Sequence, residues 1–200
     1  MTLNTRSSAL MASVLLFLLV STSSHANLVS NGTFDTDVSG WDQGGTLGTS
    51  WDAGSASAHL GRPGTPGTSF FSQEFAASEN LEVAFDYQWQ INSPAMPDFF
   101  SAYILFEGAA GVASRFDLIN VESSDDASFG TTVSATFSAI LSDLSSANAA
   151  LVFELVENNQ NAGTRIQLDN ISVNAVPVPA TFLLTGLGIL GLFATRKKAA

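Results

Sequence analysis

Between Leu81 and Ile91 the chain alternates without a break. Leu81, Val83, Phe85, Tyr87, Trp89 and Ile91 fall on one side, and Glu82, Ala84, Asp86, Gln88 and Gln90 on the other. A helix repeats near 3.6 residues and would smear this pattern around its whole circumference. A strand repeats at two and places every apolar side chain on one face. The stretch therefore predicts a half-buried antiparallel strand with one packed and one wet face.

The same period recurs along the chain. Phe99 to Glu107 is apolar on both faces at its centre and reads as a central strand. Arg115 to Val121, Thr131 to Ile140, Ala150 to Val156 and Arg165 to Val173 follow, with shorter candidates at Ala56 to Leu60 and Ser69 to Phe75. Turn clusters separate them, among them Arg62-Pro63-Gly64-Thr65-Pro66-Gly67 and Asn158-Asn159-Gln160-Asn161-Ala162-Gly163. Gly40 to Gly67 is rich in Gly, Ser and Thr and is expected to be mostly loop. Ser138 to Ala149 has the one helical look, interrupted by Ser142-Asp143. Eight short strands with turns between them predict an all-β, antiparallel β-sandwich. No internal repeat points to a solenoid or propeller.

The two ends read differently. Ala9 to Val20 is an apolar run behind Arg6, and Ser24-His25-Ala26 is a small-x-small cleavage site. Residues 1–26 thus read as a signal peptide, with the mature chain beginning at Asn27. The alternative is a single N-terminal anchor, for which the run is short. At the other end, Val176-Pro177-Val178-Pro179-Ala180 precedes an uncharged run from Thr181 to Ala194 and the basic Arg196-Lys197-Lys198. The prolines hold the chain extended. The run makes a short transmembrane helix, and the basic cluster acts as a stop-transfer signal on the cytoplasmic side. Residues 176–200 therefore form one targeting unit, and residues 27–175 form the single β-sandwich domain.

That tail resembles the PEP-CTERM sorting signal of Gram-negative bacteria that make exopolysaccharide. The resemblance implies a partner, an exosortase-type membrane transpeptidase that acts near the Pro-x-Pro motif. It also implies tethering at the inner membrane before release to the cell envelope or extracellular matrix. Val178 stands where the family usually has Glu, which removes the motif's one carboxylate.

Charge is partitioned with the same boundaries. Within 27–175 the only cations are Arg62, Arg115 and Arg165, against all eighteen acids, a net charge of −15. Such a surface repels nucleic acid and anionic lipid and favours cations and solubility. There is no cysteine, so disulfides, a cysteine nucleophile and a cysteine metal site are excluded. His59 is the one histidine of the domain, and no metal-ligand spacing surrounds it. No Gly-x-Ser-x-Gly, His-Glu-x-x-His or phosphate loop occurs, and the chain reads as non-enzymatic.

The domain's ends carry a second resemblance. Asn31-Gly32-Thr33-Phe34-Asp35 leads to Gly40-Trp41, and Leu168-Asp169-Asn170-Ile171 opens the final segment. This pairing resembles the galactose-binding-like jelly rolls, including cellulose- and xylan-binding modules. It implies a structural Ca²⁺ between the first and last strands, with Asp35 and Asp169 as acidic ligands and backbone carbonyls near Asn31 and Thr33 as further ones. Trp41 is expected in the core. Trp51, Tyr87, Trp89 and Tyr103 are the candidate platforms on which a sugar ring could stack, with Gln88 and Gln90 beside Trp89 to bond hydroxyls. Tyr87 and Trp89 also lie on the packed side of their strand, which favours core.

These readings predict an exported, exosortase-sorted envelope or matrix protein associated with exopolysaccharide. The alternative is a carbohydrate-binding module with a specific glycan ligand. A third reading, an envelope hydrolase, lacks a recognisable nucleophile or base.

Overall fold

The computed structural model describes residues 26–62, 66–77, 80–91, 97–107, 113–123, 131–142, 148–158 and 164–176. The expected signal peptide up to His25, the motif from Pro177 to Ala180, the apolar run and Arg196, Lys197 and Lys198 lie outside them. Among the described residues no helix is long and apolar enough to cross a membrane.

Ten strands form, two more than the sequence suggests: β1 (Asp42–Gly44), β2 (Thr49–Asp52), β3 (Ser57–Leu60), β4 (Gly67–Ala76), β5 (Leu81–Ile91), β6 (Phe99–Glu107), β7 (Ala113–Glu122), β8 (Thr131–Leu141), β9 (Asn148–Glu157) and β10 (Arg165–Ala175). They make two five-stranded antiparallel sheets. The first has the order β1-β4-β9-β6-β7, the second β2-β3-β10-β5-β8. The architecture is all-β, a two-sheet sandwich consistent with a jelly roll.

β1 and β2 correct the expectation of loop between Gly40 and Gly67. Neither has a strong strand composition. β1 exists because Asp42 to Gly44 pair with Ser72 to Phe70, and β2 because Thr49 to Asp52 pair with Leu60 to Ser57. Tertiary pairing thus overrides weak local preference. Of the stretch Ser138 to Ala149, read as a short turn at most, Ser138 to Leu141 belong to β8 in unbroken register with β5 and Asn148 and Ala149 open β9, while residues 143–147 lie outside the described residues. β6 does lie inside its sheet, between β9 and β7.

The core is where the odd face of β5 meets the first sheet. Phe85 packs edge-on against Phe153 of β9 at 4.9 Å between ring centroids, and Trp89 tilts against Phe100 of β6 at 6.4 Å. Leu60, Phe71, Ile104, Leu151, Leu155, Ile166 and Leu168 complete it, all fully buried.

One side of this core is sealed by the chain's opening segment. β3 pairs with β10 only at Ile166 to Leu168. Further along β10, the Leu28 N–H donates to the Val173 carbonyl at 2.7 Å, and the Ile171 N–H donates to the Gly32 carbonyl at 2.9 Å. A Cβ on Gly32 would run into the Ile171 carbonyl oxygen. Phe34, at φ 47°, then turns fully into the core. Trp41 follows, packed on Phe34 and Phe153, with its indole N–H shared between the Ser30 and Asn31 carbonyls at 3.1 and 3.2 Å.

The sandwich also buries charge at one end. Asp98 precedes β6, Glu157 ends β9 and Thr164 precedes β10, and all three are at most 1% exposed. Asp98 accepts from the Asn158 N–H at 2.8 Å and from the Thr164 hydroxyl. Glu157 accepts from the Thr164 N–H through one oxygen, while its other oxygen has no partner among the described residues. Burial, with Asp98 beside it, raises the Glu157 carboxyl from 4.5 to about 7.

Two predictions follow from these contacts. Gly32→Ala should lower stability by at least about 2 kcal/mol in urea unfolding, while Gly54→Ala, which meets only the end of the Asp52 side chain, should stay within about 0.5 kcal/mol. Because Glu157 holds its proton more tightly when folded, its contribution is complete below about pH 4.5 and is lost as pH rises through about 7. Unfolding midpoints measured from about pH 5 to 8 should therefore fall, and Glu157→Gln should flatten that slope.

Candidate functional site

Each sheet presents an outer face, and the two differ in chemistry. On the second sheet, register aligns Ser50, His59, Gln167, Gln88 and Ser134 in one row across the strands. Next to it, Asp169, Asp86 and Thr136 align across β10, β5 and β8, and Asp52 pairs with Ser57 across β2 and β3. No aromatic side chain stands in either row. A shallow hollow of about 390 Å³ lies over β5, β8 and β10. Its hydroxyls are partly spent within it: Thr136 donates to Asp86 at 2.6 Å, and the Gln88 amide donates to Ser134 at 3.2 Å. His59 is buried beside Ser57, and burial followed by the nearby Arg165 holds its imidazole below the usual value.

Three of the four aromatics proposed as platforms are turned inward. Trp89 is 1% exposed, so no ligand can stack on it. Tyr87 packs on Phe85 and Phe100 at 6.2 and 5.4 Å. Trp51 leans on the core, and its indole N–H donates to the Phe34 carbonyl at 2.7 Å. The cause is the parity of the strands: odd positions of β2 and β5 face the other sheet. Gln88, with even parity, is exposed but has no aromatic partner on its face.

The first sheet does the opposite. On β6, Phe99, Ser101 and Tyr103 point outward, since the intervening Phe100 and Ala102 are fully buried. Register sets Ser101 beside Glu154 of β9, and Glu154 beside Phe70 of β4. Three partly exposed aromatics, Phe70, Phe99 and Tyr103, thus share this face with the Glu154 carboxylate. The Tyr103 hydroxyl donates to Glu154 at 3.3 Å. On the β7 side the Arg115 guanidinium lies 3.7 Å from the Tyr103 ring centroid and is held by Asp117 at 2.6 Å. Ser101 donates to Asn120 at 3.2 Å. A pyranose needs an apolar ring face for its C–H groups and acceptors and donors for its hydroxyls. Tyr103, Phe99 and Phe70 supply the first; Glu154, Ser101, Asn120 and Arg115 supply the second. Of this group the sequence singles out Tyr103 alone. The available signal is the double-faced apolarity of Phe99 to Glu107, which marks an aromatic outer surface as well as a core strand.

Of the residues expected at a calcium, Asp35 and Asp169 come within electrostatic reach of each other and of Asp86. Burial first, then Asp86 and Asp35, raise the Asp169 carboxyl. The Asn31 carbonyl accepts from Trp41 at 3.2 Å, and its side-chain amide donates to the Asp37 and Ser39 carbonyls, each at 3.0 Å. Thr33 donates to Asp35 at 2.8 Å. Among the described residues no group of three or more His, Cys, Asp or Glu could hold a metal ion. Of the sorting motif, Val176 is described, and its N–H donates to the Asn80 carbonyl at 2.9 Å.

No protein-family model matches the chain, and no curated protein matches it. Solved structures do. The carbohydrate-binding module TmCBM61, in complex with beta-1,4-galactotriose, aligns with a TM-score of 0.51 at 13% identity, over 74% of this chain and 97% of that one. The enzymatically active domain of tailspike protein 4 from bacteriophage CBA120 aligns with a TM-score of 0.50 at 18% identity, over 75% of this chain and 21% of that one. The CBM22-1 xylan-binding domain of Paenibacillus barcinonensis Xyn10C gives 0.48 at 11% identity. At these identities the first two show a shared sandwich fold.

The geometry around Tyr103 has a spectroscopic consequence. Burial, and then the Glu154 carboxylate, raise the Tyr103 phenol above its ordinary value of 10.0 by disfavouring phenolate. In a Tyr87→Phe background, which leaves Tyr103 as the chain's sole tyrosine, ultraviolet titration should show this raised midpoint. Glu154→Gln should move it back down.

Proposed function

We propose that the domain binds carbohydrate on the outer face of the first sheet, as the non-enzymatic, exported part of a tail-sorted envelope or matrix protein. The observation that carries the reading is Tyr103, standing outward on β6 with its hydroxyl on Glu154, on a face that also carries the outward aromatics Phe99 and Phe70. The fold shared with a carbohydrate-binding module supports it. The ligand is a neutral polysaccharide, since the domain's −15 charge and the Glu154 and Asp117 carboxylates oppose an acidic one. Arg115 covers one face of the Tyr103 ring, so a sugar stacks on the remaining surface or moves the guanidinium aside. The extracellular polysaccharide of the producing cell is the natural candidate. The structural calcium implied by the jelly-roll resemblance would lie between Asp35 and Asp169, distant in role from sugar contact. Export rests on the signal peptide and on the tail that an exosortase-type partner would process, neither of which falls within the described residues.

Retardation gels with a panel of soluble neutral and acidic glycans, run with and without calcium, test the reading. At least one neutral glycan should retard the protein, and Tyr103→Ala or Glu154→Ala should weaken that binding at least about tenfold, or about 1.4 kcal/mol. Gln88→Ala, on the opposite sheet, should leave it unchanged. Retardation abolished by Gln88→Ala and spared by Tyr103→Ala would move the site to the other face. No retardation by any glycan would favour a purely structural matrix role. Intact-mass analysis of protein from the producing cell tests export separately: a chain still starting at Met1 contradicts it.

A further inference from the structure

Two sheets expose four edges, and three of them are defended. β1 and β2 are three and four residues long, too short to template another strand. β7 is ten residues long but carries Arg115, Asp117 and Glu122. Its pairing with β6 also shifts register between Ala102 and Tyr103, a bulge that breaks the regularity of the edge.

β8 has none of these protections. It runs eleven residues, Thr131-Thr132-Val133-Ser134-Ala135-Thr136-Phe137-Ser138-Ala139-Ile140-Leu141, without a charge, a proline or a glycine. It pairs with β5 residue for residue with no bulge, and among the described residues no strand pairs with its other side. Ser134, Ala135, Thr136 and Ser138 are exposed, and Ile140 is 66% exposed, the most exposed large apolar side chain described. Thr, Val, Phe and Ile favour strand and pair well across one. A row of unpaired N–H and carbonyl groups on such a strand is a template for another.

We propose that β8 is a self-association edge: two copies of this chain pair β8 to β8, antiparallel about a two-fold axis near Thr136 to Ser138, joining their second sheets into one ten-stranded sheet. Charge selects a second copy as the occupant. Two molecules at −11 each repel wherever their acids meet, and among the described strands β8 is the one long edge along which they can approach without setting like charges opposite each other. Its polar residues are hydroxyls, which can bond across a strand pair in either direction. Antiparallel pairing of identical strands is closed by its symmetry: each copy's β8 edge is satisfied by the other's, and the assembly stops at two. The pairing leaves the Tyr103 face free on both copies, so it stands independently of sugar binding.

The chain's lack of cysteine makes the test clean. Ser134→Cys, Thr136→Cys and Ser138→Cys are made one at a time in the full chain, kept in neutral detergent to solvate the apolar tail. At least one should cross-link to a disulfide dimer, because residues facing each other across an antiparallel pair near the axis come within disulfide reach. Asn120→Cys on the β7 edge should not. Sedimentation equilibrium from about 1 to 100 μM should show a monomer–dimer equilibrium, and Ser138→Lys with Ile140→Lys should weaken it at least about tenfold. Both side chains are exposed, so thermal unfolding should match the parent and exclude misfolding as the cause. A parent that stays monomeric throughout, equal association by the lysine variant, or cross-linking of Asn120→Cys as fast as the β8 cysteines would overturn the proposal.

Discussion

A close backbone approach between Gly32 and Ile171 holds the rest together. Gly32 lies flat against Ile171, near enough for the Ile171 N–H to reach the Gly32 carbonyl at 2.9 Å. No side chain fits between them. This joint fastens the start of the domain to its last strand on the side that β3 leaves unpaired. It turns Phe34 into the core and lets Trp41 close over it. Gln73, buried on β4, clamps the same segment from the other sheet by donating to the Ser30 and Gly40 carbonyls and accepting from the Ser30 N–H. The opening segment therefore ties both sheets, and its motif residues are structural before they are anything else.

With the sheets fixed, parity decides chemistry. Each strand has two faces, and the core takes one of them entirely. On the second sheet the core claims Trp51, Tyr87 and Trp89 and leaves amides, hydroxyls and carboxylates outside. On the first sheet it claims Phe71, Phe100 and Phe153 and still leaves Phe70, Phe99 and Tyr103 outside. Aromatic surface that is not needed for packing is unusual on a domain this acidic. Its grouping around Glu154 gives it hydrogen-bonding chemistry as well as area.

The acids follow the same economy of placement. Most lie where water reaches them, consistent with a soluble exterior. Asp98 and Glu157 are the exception, fully buried at the junction of three strand ends. There Asp98 is held by hydrogen bonds from Asn158 and Thr164, and burial raises the Glu157 carboxyl to about 7. Stability at neutral pH is therefore tied to one proton at the end of the sandwich, away from the aromatic face.

Alternation in β5, the turn clusters and the apolar stretches were enough to specify an all-β antiparallel sandwich and the cores of eight strands, because period two is a local property of sequence. The meeting of Asn31-Gly32-Thr33-Phe34 with the last strand was legible only through the resemblance to galactose-binding-like jelly rolls; that Gly32 is there because no Cβ fits against Ile171 came from the structure. β1 and β2 were not legible, since each is a strand only through its neighbour. Nor was the candidate site. The polar second face of β5 already marked Tyr87 and Trp89 as packed, but Tyr103 sits in a stretch apolar on both faces, where composition cannot say which parity meets the opposite sheet. The sequence by itself determined eight of the strands and the acidity, because alternation and charge are local properties. Only the tertiary structure decided that Tyr103, Phe99, Phe70 and Glu154 share one outer face and that no strand among the described residues pairs with the outer side of β8, because both depend on strand order and register across residues far apart in the chain.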